Sequence, residues 1–180
     1  MARPAMTPFA VLAALDWRAR QCQAALPAAE EVRQQWAGVG FRLGGRRFVA
    51  PMGEVTEILT YPSLSPIPHT KAWVRGVANV RGNLLPVMDL GGFLGRHSAL
   101  VTRLARVVVI QLDGVHAGLL VDEVLGMRHF FDEERSAVPD DLGEELRPFV
   151  AGAFVRDGGT WLLFSMRALA AHPQFLKVAS

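Results

Sequence analysis

From Val39 onward the apolar residues follow a β pattern. Val39, Phe41 and Leu43 alternate with smaller or polar residues, Gly44-Gly45 turns the chain, and Phe48-Val49-Ala50 returns. Period-two runs bounded by glycine predict a hairpin, and Pro51 limits its second strand to an edge or an end. Arg106 to Leu112 is a strongly apolar strand; Asp113-Gly114 turns it and Val115 to Val121 returns. Phe149 to Val155, the turn Asp157-Gly158-Gly159 and Thr160 to Phe164 predict a further hairpin. Ser165 then caps a closing helix, Met166 to His172, which Pro173 stops.

The segment from Gly76 to Leu90 breaks the usual alternation. Two apolar runs flank a Gly82-Asn83 turn, with Val77, Leu85 and Val87 in one register and Ala78, Val80, Leu84 and Met88 in the other. Both faces are therefore apolar, where a hairpin usually has one wet face. A small barrel covers one face only. The other must meet a second layer, which predicts a protein that works by contact.

Residues 1–37 read differently, as a helical N-terminal extension. Thr7-Pro8 places a capping residue before a proline at the first helical position, and Phe9, Leu12 and Leu15 follow at helical spacing. Pro27 starts a second helical stretch, Ala28 to Trp36, with Glu30 and Glu31 early in it as the helix dipole prefers.

The β pieces repeat once. A hairpin at Gly44-Gly45, Val55-Thr56-Glu57-Ile58-Leu59 and the Gly82-Asn83 hairpin are followed by a hairpin at Asp113-Gly114, Val121-Asp122-Glu123-Val124-Leu125 and the Asp157-Gly158-Gly159 hairpin. Glu57 matches Glu123, and Val80-Arg81-Gly82 is echoed by Val155-Arg156-Asp157. Internal similarity of this kind predicts duplicated units. Each supplies four or five short strands, enough for a small barrel, within a domain over 38–175 whose halves divide near 95–105.

Half of the 180 residues are apolar and a fifth are charged, as expected of a globular chain with a real core. The single cysteine, Cys22, forms no internal disulfide, and no apolar run is long enough to span a bilayer, so the expectation is a cytoplasmic protein without membrane insertion. Net charge is +2 but unevenly placed: thirteen Lys/Arg against seven Asp/Glu from Met1 to Val121, then three against nine from Asp122 to Arg147. A basic body beside an acidic segment steers partners of mixed charge.

Catalytic chemistry is not visible. Gly91-Gly92-Phe93-Leu94-Gly95-Arg96 lacks the lysine and hydroxyl residue of a phosphate loop, and no Gly-x-Ser-x-Gly or Cys/His arrangement occurs. His129 with Asp132 and Glu133 is the tightest group of metal-ligand types and does not make a closed coordination set. No cofactor, metal or catalytic residue is predicted. Asp89 reads as a cap and Trp161 as a core residue. A small-barrel nucleic-acid binder is the alternative, prompted by the basic first two-thirds, but the strands lack the interleaved aromatic and basic residues of a stacking platform.

The run Ile67-Pro68, Trp73-Val74-Arg75-Gly76-Val77, Asn79-Val80-Arg81-Gly82 and Leu85-Pro86-Val87-Met88-Asp89-Leu90 resembles the central signature of the CheW family of chemotaxis coupling proteins. Val55 to Ile58 and Gly118 to Val124 match its flanking motifs. The helical extension resembles the branch of that family that serves type IV pilus twitching motility. The resemblance implies two intertwined five-stranded SH3-like barrels. It also implies a non-enzymatic adaptor between the cytoplasmic tip of a methyl-accepting chemoreceptor and the CheW-like regulatory domain of a CheA-type histidine kinase, at membrane-associated arrays. By the same resemblance Val55, Glu57, Ile58, Val80 and Arg81 face the receptor. For the kinase surface, Leu84, Leu85 and Val87 are the expectation from apolar exposure. After Asp89-Leu90 many members of that family carry basic residues, whereas here Gly91-Gly92-Phe93 follows.

Overall fold

The computed structural model describes Trp17 and residues 35–96, 101–156 and 158–178. Apart from Trp17, the helices expected over 7–34, Cys22, and Asp157 in the last turn lie outside those residues. The chain divides into two units, 1–34 and 35–180, and every strand among the described residues belongs to the second.

In chain order that unit contains β1 (Gln35–Leu43), β2 (Arg46–Pro51), β3 (Glu57–Thr60), β4 (Val74–Val80), β5 (Asn83–Asp89), α1 (Leu90–Phe93), β6 (Arg106–Leu112), β7 (Val115–Val121), β8 (Glu123–Phe131), β9 (Arg135–Ser136), β10 (Val150–Arg156), β11 (Gly159–Phe164), α2 (Met166–Ala170) and α3 (Pro173–Leu176). The strands form two sheets, ordered β8-β1-β2-β11-β10-β9 and β3-β6-β7-β5-β4. The fold is mainly β, and its two halves are interlocked. The β1–β2 hairpin of the first half lies in a sheet with β8, β10 and β11 of the second. The β6–β7 hairpin of the second half lies with β3, β4 and β5 of the first. Each sheet takes strands from both sides of the 95–105 segment.

The two sheets follow one plan. β2 runs parallel to β11 with Val49 beside Leu163, and β7 runs parallel to β5 with Gly118 beside Val87. Two residues past each of Val87 and Leu163, a capping side chain starts a helix: Asp89 Oδ1 accepts from Gly92 N–H at 3.0 Å, and Ser165 Oγ accepts from Ala168 N–H at 3.1 Å.

Three hairpins turn on the same two-residue geometry. Gly44-Gly45, Arg81-Gly82 and Asp113-Gly114 all have positive φ at both positions, the type I′ turn whose twist matches the strands it joins. The β4–β5 turn is therefore Arg81-Gly82 and not Gly82-Asn83, because Val80 pairs with Asn83. That shift by one corrects the expected registers. Ala78 pairs with Leu85 and shares a buried face with Val87, while Leu84 lies opposite Asn79 on the other face. Gln35 and Trp36, expected at the end of a helix, are in β1, where Trp36 pairs with Phe130 and packs on Phe130 and Phe154.

Among the described residues three apolar cores result. The largest lies between the sheets and takes Phe41, Phe48, Phe164 and Leu162 from the first, and Met88, Val108, Ile110, Ala117 and Leu119 from the second. Each sheet also curls over a private core. The second sheet's is small and aliphatic, with Ala78, Val87, Val107 and Leu120. The first sheet's is aromatic, with Val49, Phe130, Phe154 and Trp161. Apolar residues on both faces of the strands, the feature that stands out in Gly76 to Leu90, are what two private cores and one shared core require.

Gly76 shows how closely the outer segment is laid on the sheet. The 61–73 stretch bridges to β4 through Ser65 and Val77, which exchange both backbone hydrogen bonds at 2.9 Å. Gly76 has φ of 136°, and a Cβ there would lie 2.4 Å from the Ser65 carbonyl oxygen. Gly76→Ala is expected to cost about 2 kcal/mol or more, read as a lower denaturant midpoint. Gly82→Ala, with nothing within 4 Å of its Cβ, is expected to cost only about 1 kcal/mol.

Candidate docking surface

β3 and β4 are the two edges of the second sheet, and the ion pair of Glu57 with Arg81 joins them. Glu57 opens β3 opposite Val109. Arg81 sits at the first position of the β4–β5 turn with φ of 52°, a left-handed conformation unfavourable for a residue with a Cβ. The turn is held from within: Asn79 Oδ1 accepts from Gly82 N–H at 2.9 Å. The Arg81 guanidinium donates to Glu57 Oε1 at 2.6 Å, and the arginine side chain is 78% exposed. The Glu57 side chain is 29% exposed, and with the arginine this open the pair contributes about 0–1 kcal/mol to stability. The positive φ is what a type I′ turn requires at this position, as at Asp113.

Beneath the pair is a hollow of about 100 Å³, lined by Glu57, Val80, Arg81 and Leu85 together with Val109 and His116. Val80 is half-buried and closes the small private core with Leu59. On the opposite side of β3, Ile58 lies across from Val108 and is 41% exposed. Val55 is half-buried and packs toward the shared core. The structure thus brings Glu57, Val80 and Arg81 into one cluster, puts Ile58 on the other side of the same strand, and sets Val55 inward of them. His116 and Val109 were not foreseen as part of this surface; they enter through the β6–β7 hairpin of the other half, and only the strand exchange reveals them.

The three residues expected toward a kinase separate. Leu84 is 73% exposed, whereas Leu85 and Val87 are 1% and 0% exposed. Leu85 and Val87 are core side chains and offer no surface, because the Arg81-Gly82 turn aims them inward. Glu57 and Glu123 are not counterparts either: Glu57 lies opposite Val109, while Glu123 lies opposite Arg42 and pairs with it at 3.2 Å. Asp89 is fully buried and serves as a cap, and Trp161 is 7% exposed in the aromatic core. Among the described residues no group of three or more His, Cys, Asp or Glu is placed to hold a metal ion, and no helix is long and apolar enough to cross a membrane.

Two interlocked sheets with a shared core present an edge strand that carries exposed Ile58 on one side and the Glu57–Arg81 ion pair on the other. The chain belongs to the CheW-like domain family, whose model matches residues 37–174. It is 51% identical over 173 residues to Protein PilI of Pseudomonas aeruginosa, a match covering 96% of this chain and 97% of that one. It is 32% identical over 120 residues to the chemotaxis protein CheW of Rhizobium meliloti, covering 67% and 77% of the two chains. Its fold is like that of the scaffolding protein TtCheW of Thermoanaerobacter tengcongensis, with a TM-score of 0.68 at 23% identity over 78% of this chain and 95% of that one.

Proposed function

We propose that the chain is a non-enzymatic adaptor that joins the helical cytoplasmic tip of a methyl-accepting chemoreceptor to a CheA-type histidine kinase. The observation that carries this reading is the β3 edge strand, which presents exposed Ile58 on one side and the Glu57–Arg81 pair on the other. Apolar side chains in a groove take the apolar face of a helix, and a guanidinium at the rim supplies a fork of donors to carbonyls or carboxylates. Similarity to Protein PilI along nearly the whole chain supports a place in the branch linked to type IV pilus twitching motility. Leu84, exposed on the opposite face of the β4–β5 hairpin from Leu85, is the kinase contact that remains of the three expected.

Arg81→Glu tests the receptor side. Binding to a purified receptor cytoplasmic fragment is expected to weaken about tenfold or more, with kinase binding within about twofold and the thermal midpoint nearly unchanged, since the ion pair is exposed. Exchanging the charges in Glu57→Arg with Arg81→Glu restores a local pair without restoring receptor binding. Unchanged receptor affinity in a folded Arg81→Glu protein contradicts the proposal.

A further inference from the structure

The duplication places equivalent positions at equivalent points of the two sheets, and the strand registers identify them. When the β1–β2 and β6–β7 hairpins are matched turn to turn, Val39 corresponds to Val108. Ile58 lies opposite Val108, and Met127 of β8 lies opposite Val39. Both are exposed, 41% and 56%. An exposed apolar side chain thus recurs at one place on the edge strand of each sheet.

Around that place the charged side chains differ. By the same registers Gly126 takes the position of Glu57, Arg128 that of Leu59, Arg47 that of His116, Arg156 that of Val80, and Trp161 that of Leu85. The carboxylate of Glu57 has no counterpart, three arginines have come in, and in the sequence Asp157 follows Arg156 where Arg81 follows Val80. Arg156 is held by the His129 carbonyl and by Glu134 at 3.6 Å. Arg47 and Arg128 are exposed and have no carboxylate partner among the described residues. They lie instead over the Trp161 ring, 5.6 and 5.3 Å from its centroid. Stacking on an indole holds a guanidinium in place and leaves its donors facing outward. Gly40 makes room for this arrangement, since a Cβ there would lie 2.9 Å from Trp161 and 3.0 Å from the Arg128 stem.

Resting on the reading of the Ile58 edge as a docking surface, we infer that the β8 edge is a second docking surface, whose occupant is an acidic segment of another protein with an apolar side chain near its carboxylates. Two guanidinium forks match carboxylates, and Met127 beside them is an adaptable apolar contact. A nucleic acid fits less well: Trp161 is only 7% exposed beneath the arginines and offers no free face for base stacking.

The test is fluorescence anisotropy of the full chain with a labelled decapeptide of alternating Glu and Leu, and a control peptide with Lys for Glu. The Glu peptide is expected to bind, more weakly as salt rises, and the Lys peptide not to bind. Arg47→Gln and Arg128→Gln are each expected to weaken binding about tenfold with unchanged circular dichroism. Arg81→Glu should leave this binding intact while lowering affinity for the receptor fragment, so failure at one surface is distinguished from failure at the other. Absence of saturable peptide binding, equal affinity of the two arginine variants and the unaltered chain, or tighter binding at the same arginines by labelled oligothymidylate or phosphatidylglycerol vesicles would overturn the inference.

Discussion

Phe164→Ala is expected to destabilise both sheets together, by about 3–5 kcal/mol. Phe164 is fully buried in the core between the sheets. Its ring meets Phe41 edge-on at 6.0 Å, Phe48 edge-on at 5.9 Å and Phe149 at 6.1 Å. Truncation removes apolar burial and three aromatic contacts, and the gap faces strands of both sheets, which cannot close it independently. For a chain of this size the loss corresponds to a drop of roughly 6–20 °C in Tm. The shared core adds a second expectation. Since both sheets bury side chains in it, neither is expected to unfold and leave the other whole. Denaturant melts followed by far-UV circular dichroism and by tryptophan fluorescence should therefore coincide, both shifted to lower midpoint. Two separate transitions, or a loss below about 1 kcal/mol, would contradict a shared core.

The second large effect concerns binding. Ile58→Glu is expected to lower affinity for a receptor cytoplasmic fragment by roughly thirtyfold or more, the scale of an interface hot spot of about 2 kcal/mol. Ile58 is 41% exposed at a sheet edge, so the substitution should change folding stability by no more than about 0.5 kcal/mol. In a complex the same carboxylate would be buried against an apolar helix face, beside Glu57 and without a cation of its own, which is the costly arrangement. Titration calorimetry with the folded variant reads the effect directly. Met127→Glu, at the corresponding place on the other sheet, should leave receptor affinity within about twofold. Equal losses from both substitutions, or none from Ile58→Glu, would remove Ile58 from the receptor surface.

Much of the architecture was legible in the sequence because it is local. Gly44-Gly45 and Asp113-Gly114 mark their turns through the backbone they require, Ser165 and Asp89 announce caps, and the two apolar faces of Gly76 to Leu90 announce a second layer. The pairing of hairpins was not legible. β1–β2 and β6–β7 are equally apolar, and which strands they join is decided by long-range packing in the shared core. A shift of one residue in the turn at Arg81 reversed the fate of Leu85 and Val87, since a slip of one in a strand moves every side chain to the other face. The match of Glu57 to Glu123 failed for a related reason. β8 is nine residues long and bulged near Gly40, β3 is four, and the strands align by register rather than by motif. The residues expected to face a receptor came from family resemblance, and the structure adds that Glu57 and Arg81, far apart in sequence, join the two edges of one sheet. Met127 and Arg128 carry no sequence signal at all; only the register makes them the counterparts of Ile58 and Leu59.

Photo-crosslinking from position 58 addresses the docking surface most directly. With a photoreactive amino acid in place of Ile58, and a second protein carrying it in place of the exposed Glu144, each is irradiated with receptor cytoplasmic fragment and kinase regulatory domain present together. The prediction is a crosslink from position 58 to the receptor fragment, abolished by Arg81→Glu, and none from position 144 to the receptor. A receptor crosslink from position 144 with none from position 58 would contradict it.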